Sequence, residues 1–587
     1  VQRELREAKG VSAMIYDQTC ASEKRRRRKQ IGKDGKPGFP DPAKRAVINE
    51  AVCEGCGDCS VQSNCLSVEP LETEFGRKRQ INQSSCNKDF SCVTGFCPSF
   101  VTVEGGKLKK PQKTKVEPGN ALDVASLPQP VLPATAEPFG VLVTGVGGTG
   151  VVTIGQIMAM AAHLQGKACS VLDMTGLAQK GGAVMSHVRL ADNIDDIHST
   201  RVGTGMADLV IGCDLIVTAG KDALSRMGEG RTHAAINLNG TPTSTFIKNP
   251  DWQFPAASAE DEIRVACGAD RVELVDAGSI ATALMGDTIA TNMFLLGYTW
   301  QKGWVPLTEA ALMRAIELNG VAIDFNKQAF NWGRIAANDL VAVQRLVTPS
   351  QVIELKRAPT LDQTIAKRVE VLTAYQNAAY AQQYLDLVEQ VRSAESRLTG
   401  SGKPLRLTEA VARYTFKLMA YKDEYEVARL YTDGKFQKKI ADMFEGDYAI
   451  NFHLAPPLLA KRDDNGHLIK QQFGPWMMKA FGLLAKFKSL RGTALDIFGY
   501  SDERKTERAL IAQYRSTITQ LLPKLTADNL SKAVAIASIP EDIRGFGHIK
   551  ERYLHAAKQK EAALLAGFDG PNAPKVIPIA AAVKHVA

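Results

Sequence analysis

The sequence has no run of about 18 apolar residues and no apolar h-region behind its first residues, so neither a membrane-spanning helix nor a secretory leader is expected. It has no short-period repeat, and its only low-complexity tract is the basic run EKRRRRKQ at 23–30. Charge is not one-sided either. The net charge is +9, but 63 acidic residues are spread through the chain, so the balance alone implies no nucleic-acid binding. A basic surface would suit an acidic redox carrier or a phosphate-bearing ligand equally well. Cysteine is sparse outside one segment: of 11 in the chain, seven fall between Cys53 and Cys97. With no leader the expected location is cytoplasmic, where thiols serve as metal ligands rather than disulfides. The first residue is Val1, not Met, and VQRELREAKG followed by VSAMIYDQTC reads as a helix running into a strand, the tail of a larger α/β domain.

At 587 residues the chain is long enough for roughly three to four domains. Residues 1–44 hold that tail and a basic linker, 45–106 a compact Cys-rich module, and 107–138 an extended linker rich in Lys, Pro, Val and Ala. From Phe139 to about residue 345, apolar strands alternate with helices: FGVLVT, a glycine turn, VVTIGQIMAMAAHLQG, then ACSVLD, ADLVIGCDLIVTAG, THAAINLNG and DRVELVDA. That alternation predicts a Rossmann-like parallel α/β sheet. Residues 346–587 show apolar positions at three- and four-residue intervals and read as a mainly helical domain. The fold class is multidomain α/β plus α.

Cys53-Glu-Gly-Cys56-Gly-Asp-Cys59 is C-x₂-C-x₂-C, and Cys97-Pro98 supplies the distant Cys-Pro that completes a [4Fe–4S] ferredoxin set. Zinc is the alternative, although three thiols at this spacing crowd one tetrahedron. Cys86 and Cys92 repeat the separation of Cys53 and Cys59, with Asp89 midway where a cysteine would stand. Cys65 takes the fourth-ligand place of the first half, followed by leucine instead of proline. The usual crossing of fourth ligands assigns Cys53, Cys56, Cys59 and Cys97 to one cluster, and Cys65, Cys86, Cys92 and Asp89 to a second. Carboxylate is the harder ligand, so the second cluster would be labile or convert to [3Fe–4S]. Alternatively Asp89 is a solvated loop residue and a single cluster exists.

INEAVCEGCGDCSVQSNC, EFGRKRQINQSSCNKDFSC and GFCPSF resemble the ferredoxin-like segment of the fused bacterial indolepyruvate:ferredoxin oxidoreductases, members of the thiamine-diphosphate-dependent 2-oxoacid:ferredoxin oxidoreductases. The resemblance implies that residues 1–19 end a thiamine-binding domain and that the chain is the C-terminal half of such an enzyme. It also sets Cys20 against two readings, a third thiamine-proximal cluster or an inert buried cysteine.

Gly145-Val-Gly147-Gly148-Thr-Gly150 follows a strand and opens a helix, where backbone N–H groups and the helix terminus favour phosphate. Asp173, 23 residues after Gly150, stands where a ribose-binding acid would lie in a dinucleotide fold. Against NAD or flavin, GLAQKGGAVMSHVRL (176–190) and DAGSIATALMGDTIATNMFLLGYTWQKG (276–303) resemble the γ-type domain of the same family. The glycine turn would then face the phosphates of coenzyme A, with Lys180, His187 or Arg189 nearby. Lys180-Gly-Gly is equally a tight interface loop.

The basic run could dock an acidic ferredoxin or simply be solvated. His453 and His548, with no second ligand beside them, read as hydrogen-bonded structural histidines. NFHLAPPLLAKRDD and PEDIRGFGHIKERYL resemble the C-terminal extension of the fused enzymes. The implied complete enzyme decarboxylates an aryl 2-oxoacid on thiamine diphosphate and Mg, forms arylacetyl-CoA with coenzyme A, and passes electrons through [4Fe–4S] clusters to ferredoxin. This chain has no GDG followed by an Asn pair, so that first site is expected in an N-terminal thiamine-binding portion or subunit, within a homo-oligomer and without nucleic acid or membrane. The rivals are a stand-alone reductase binding NAD or flavin at Gly145–Gly150 and a metal-binding interaction protein.

Overall fold

The computed structural model describes residues 2–568 apart from 16, 18–22, 25–26, 29–34, 36–37, 110–123, 177–181, 241–245, 247–248, 250, 253–255, 348–359, 401, 457–459 and 463–465. Cys20 and Lys180 therefore lie outside the described residues. The helix expected at the start spans Gln2–Glu7, but residues 11–15 form no strand. No helix among the described residues is long and apolar enough to cross a membrane.

The Cys-rich segment carries β1 (Lys44–Ile48), a short helix Asp58–Ser63, the hairpin β2 (Val68–Thr73) and β3 (Gly76–Ile81), a 3₁₀ turn Ser91–Thr94, and β4 (Phe100–Glu104). β1 pairs antiparallel with β4, from Lys44 opposite Glu104 to Ile48 opposite Phe100. A two-residue β5 (Lys107–Leu108) follows.

The next unit contains β6 (Phe139–Val146), β7 (Ala168–Thr175), β8 (Ala183–Ala191), β9 (Leu209–Gly212), β10 (His233–Asn237) and β11 (Val272–Val275), in sheet order β11-β10-β9-β6-β8-β7. Strands β6, β9, β10 and β11 are parallel, but β8 runs antiparallel between β6 and β7. The sheet is mixed, which corrects the expectation of a parallel one. Sequence alternation could not reveal this, because β7 returns through a short connection directly into β8. Both faces are covered. Val141 and Val143 pack with the helices Val151–Leu164, Ala277–Met285 and Thr291–Gln301, while Leu142, Val210 and Ile236 pack with Ile263 of helix Ala256–Cys267. Burial on both faces explains why β6 reads as a continuous apolar run.

Residues 361–566 are mostly helical, as expected, but they also carry β12 (Phe444–Glu445), β13 (Ala449–Leu454) and β14 (Gln471–Phe473). β12 pairs with β5. β13 adds to β4, and β14 to β13, giving a four-stranded sheet β1-β4-β13-β14. Val47, Val101 and Val103 share one apolar core with Tyr431, Phe452, Phe481 and Phe546. The Cys-rich segment and the C-terminal region, read as separate domains at 45–106 and 346–587, thus share this core and sheet, while each also keeps cores of its own. His453 bridges them: its Nε2 lies 3.0 Å from Thr102 Oγ1 in the buried interface. Burial and the nearby Lys470 and Lys44 pull its pKa down to about 4, so it is a neutral structural histidine.

Candidate metal centre

Strand pairing assembles the cysteines into two groups. Cys53 leaves the end of β1 and Cys97 precedes the start of β4, so the antiparallel pair brings them together. The hairpin register sets Val68 opposite Ile81, which brings Cys65, just before β2, to Cys86, just after β3.

The two cysteine loops share a backbone conformation. In the first, Gly55 and Gly57 have φ of 67° and 79°, and the Gly55 N–H donates to Cys53 Sγ at 3.3 Å. In the second, Lys88 and Phe90 have φ of 53° and 62°, and the Lys88 N–H donates to Cys86 Sγ at 3.4 Å. Gly57 caps the helix that carries Cys59, and Phe90 caps the 3₁₀ turn that carries Cys92. Position for position, Asp89 occupies the place of Cys56. Left-handed backbone at Lys88 and Phe90 costs roughly 1–3 kcal/mol each and persists only where surroundings impose it. The wrapped loop is thus kept even where glycine is not. Asp89 is exposed, and its Oδ1 accepts from the Ser91 N–H at 3.1 Å and hydroxyl at 2.9 Å, which leaves the other carboxylate oxygen for a further ligand.

Cys53, Cys56, Cys59 and Cys97 all line one small pocket, together with Arg79, Gly95 and Phe100. Burial pushes the Cys59 thiol well up, and Cys97, Cys56 and Cys53 each push it further. Cys53 is raised by burial and by Cys97, with Lys78 offsetting part. In the second group, burial and then Cys86, Cys65 and Asp89 push Cys92 up to about 12. Thiols packed this way do not ionise as isolated groups, whereas a coordinated metal deprotonates them outright. Among the described residues, no three or more His, Cys, Asp or Glu side chains form a group able to hold a metal ion. Four thiols around a cavity fit a larger inorganic core better than one tetrahedral ion.

Three residues near this centre carry no sequence signal of their own. Gly95 lies against Cys59, where a Cβ would stand 2.8 Å from the Cys59 Cα. Lys78 donates to the Cys53 carbonyl at 2.8 Å. Glu54 lies 3.5 Å from Lys422; burial opposes its charge, but Lys422, Lys78, Lys417 and Lys550 outweigh it and hold its pKa at about 2. The C-terminal region closes the site from outside. Tyr553 donates to the Cys56 carbonyl at 2.9 Å, Tyr431 to the Pro98 carbonyl at 2.7 Å, and His548 stacks on His467 and meets Phe96 at a tilt. Of the basic run, Arg28 donates to the Asn87 carbonyl within the second loop and Arg27 pairs with Glu23 at 3.1 Å.

At the glycine turn, Gly145 is the last residue but one of β6, and its Cβ would lie 2.6 Å from Val151 Cγ2, so glycine is needed for helix–strand approach. Gly148 and Thr149 are exposed, and Gly150 caps the following helix at φ 100°. The Gly147 N–H donates to the Gly182 carbonyl at 2.8 Å, which ties the residue just before β8 to the turn. Arg189 does not reach it. Arg189 pairs with Gly140, five residues before Gly145, on the order of 17 Å along the strand. His187 is also displaced from the turn. It is fully buried opposite Leu142 and accepts the Val202 N–H at 3.2 Å through Nδ1. Asp173 sits on β7, beyond β8, paired with Ser186, so it is not at the position next to β6 that the dinucleotide spacing assumed.

Residues 140–336 match the family model described as pyruvate ferredoxin/flavodoxin oxidoreductase. That stretch of the chain is similar to the 2-oxoacid:ferredoxin oxidoreductases. Residues 361–563 match a second model, described as a family of unknown function. The cysteine loops lie outside both matched stretches. Among curated relatives, indolepyruvate oxidoreductase subunit IorB of Thermococcus kodakarensis is 25% identical over 208 residues, covering 35% of this chain and 98% of the relative. The subunit of the same name from Archaeoglobus fulgidus is 36% identical over 76 residues, 13% of this chain and 36% of the relative. Among solved structures, pyruvate oxidoreductase subunit PORC of Thermotoga maritima is 20% identical with a TM-score of 0.25, covering 34% of this chain and 96% of that one. The 2-oxoglutarate:ferredoxin oxidoreductase of Magnetococcus marinus is 18% identical with a TM-score of 0.27, covering 34% and 31%.

Proposed function

We propose that this chain is the electron-relay portion of an indolepyruvate-type (aryl 2-oxoacid) ferredoxin oxidoreductase. The observation that carries the reading is the pair of matching loops, Cys53–Cys59 and Cys86–Cys92, fixed to an oxidoreductase-family domain. Cys53, Cys56, Cys59 and Cys97 are the ligands of one [4Fe–4S] site. Cys65, Cys86, Cys92 and Asp89 hold a second, in which the Asp89 carboxylate retains its iron less tightly than thiolate would. Bound clusters would supply one-electron steps to split the electron pair released by oxidative decarboxylation.

Thiamine diphosphate and Mg belong to a thiamine-binding portion or partner subunit, and ferredoxin is the acceptor. The glycine turn Gly145–Gly150, together with Lys180, is assigned to phosphates of coenzyme A. Arg189, on β8 opposite Gly140, is left out of this proposed set. The indolepyruvate preference is supported by the names of the relatives rather than by any residue of this chain.

The test combines the chain with its thiamine-binding partner and follows reduction of a one-electron acceptor. Indolepyruvate- and coenzyme-A-dependent reduction that is lost in Cys53→Ala supports the reading. Reduction driven by NAD(P)H or flavin without oxoacid would replace it with the stand-alone reductase.

A further inference from the structure

Lys470 lies immediately before β14, almost 400 residues from the cysteine loops in sequence. Its Nζ donates to the carbonyls of Val93 at 2.8 Å and Gly95 at 2.7 Å and sits 5.0 Å from the Phe100 ring centroid. Those carbonyls belong to the stretch from Cys92 to Cys97, the segment by which the chain leaves one cysteine group and enters the other. The ammonium feels thiols of both: Cys97 and Cys59 from the first group and Cys92 from the second, with the Asp58 carboxylate also facing it. Its two hydrogen bonds go to backbone carbonyls, not to a carboxylate. A largely desolvated cation held this way is costly unless negative charge nearby compensates for it.

We propose that Lys470 is a shared tuning cation that raises the reduction potentials of both iron–sulfur sites. This rests on the two-cluster reading above. Each site becomes more negative on reduction, and a fixed positive charge in a low-dielectric setting favours that state. The hairpin β13–β14 delivers the charge, so a role of the C-terminal region is to set the electrical environment of the relay. Lys470 acts through the clusters and is not a catalytic residue.

The test uses the full chain, anaerobically loaded with iron and sulfide, and EPR-monitored redox titration of wild type, Lys470→Gln, Lys470→Met and Lys470→Arg. Gln retains a hydrogen-bond donor, Met retains length, and Arg retains charge. Midpoints of both signals should move to more negative potential in the Gln and Met variants and stay at wild type in Arg. Unmoved midpoints, or a shift at one site alone, overturn the proposal while leaving the clusters intact. Loss of both clusters in Gln and Met with retention in Arg would mean that the cation is needed for assembly, and also overturns tuning. A wild-type chain that takes up no iron and sulfide removes the two-cluster reading and this proposal together.

Discussion

Gly95→Ala puts a methyl group where the Cys59 backbone already stands. The new Cβ would lie 2.8 Å from Cys59 Cα, 2.9 Å from its nitrogen and 3.0 Å from its Cβ. Favourable carbon contacts fall at about 3.5–4.0 Å, so something must move by about 0.5–1 Å. Gly95 itself has φ of −53°, which alanine accepts readily, so the cost is steric and not conformational. Overpacking of this kind costs about 1–3 kcal/mol. The atoms that must yield belong to a thiol-bearing residue of the first group, so the displacement falls on a proposed ligand. The assay is chemical denaturation together with iron, sulfide and EPR. Stability should fall by about 1–3 kcal/mol, and iron should be lost first from the Cys53/Cys56/Cys59/Cys97 site while the second signal remains. Gly76→Ala is the control. It has φ of 91° and nothing within 4 Å of a new Cβ, so it should cost about 1–2 kcal/mol through backbone strain with no loss of iron. A Gly95→Ala protein with wild-type stability and iron, or equal iron loss in both variants, would show that the Gly95–Cys59 contact does not support the first site.

Glu54→Gln removes the carboxylate around which Lys422, Lys78, Lys417 and Lys550 are gathered, and should destabilise the chain by about 3–5 kcal/mol at pH 7 in urea titrations. His453 and His187 have folded-state pKa values lowered to about 4 by burial and nearby cations. The unfolded chain therefore binds more protons between pH 6.5 and 4. Stability should fall as pH drops through that window, by up to about 1.4 kcal/mol per pH unit per histidine. His453→Gln should flatten the dependence, as read from denaturation midpoints at a series of pH values. Glu54 adds a loss of the same sign at lower pH, between 4.5 and about 2. Asp89→Cys should suppress the [3Fe–4S] signal that air oxidation produces in wild type, whereas Asp89→Ala should lower the iron content of that site.

Local chemistry was legible wherever one short stretch fixed it. The cysteine spacing, the displaced repeat with Asp89 and the strand–turn–helix at Gly145 all stand in the sequence, and the loops adopt matching backbones. The partners supplied by distant strands were not legible. β13 holds alternating polar residues, Asn451 and His453, that become buried only against β4, so nothing local marks it as a strand amid helices. The antiparallel insertion of β8 moved Asp173 and Arg189 away from the turn, because spacing along a chain does not reveal strand order. Lys470 had no motif at all. Its significance arises from two carbonyls almost 400 residues earlier.

The most direct test is iron, acid-labile sulfide and zinc per chain after anaerobic purification, with EPR of the dithionite-reduced and air-oxidised forms. Two clusters require about eight iron and eight sulfide, two reduced-cluster signals, and a [3Fe–4S] signal on oxidation that disappears in Asp89→Cys. About four iron with one cubane signal would contradict the second site, and zinc without sulfide would contradict the relay altogether.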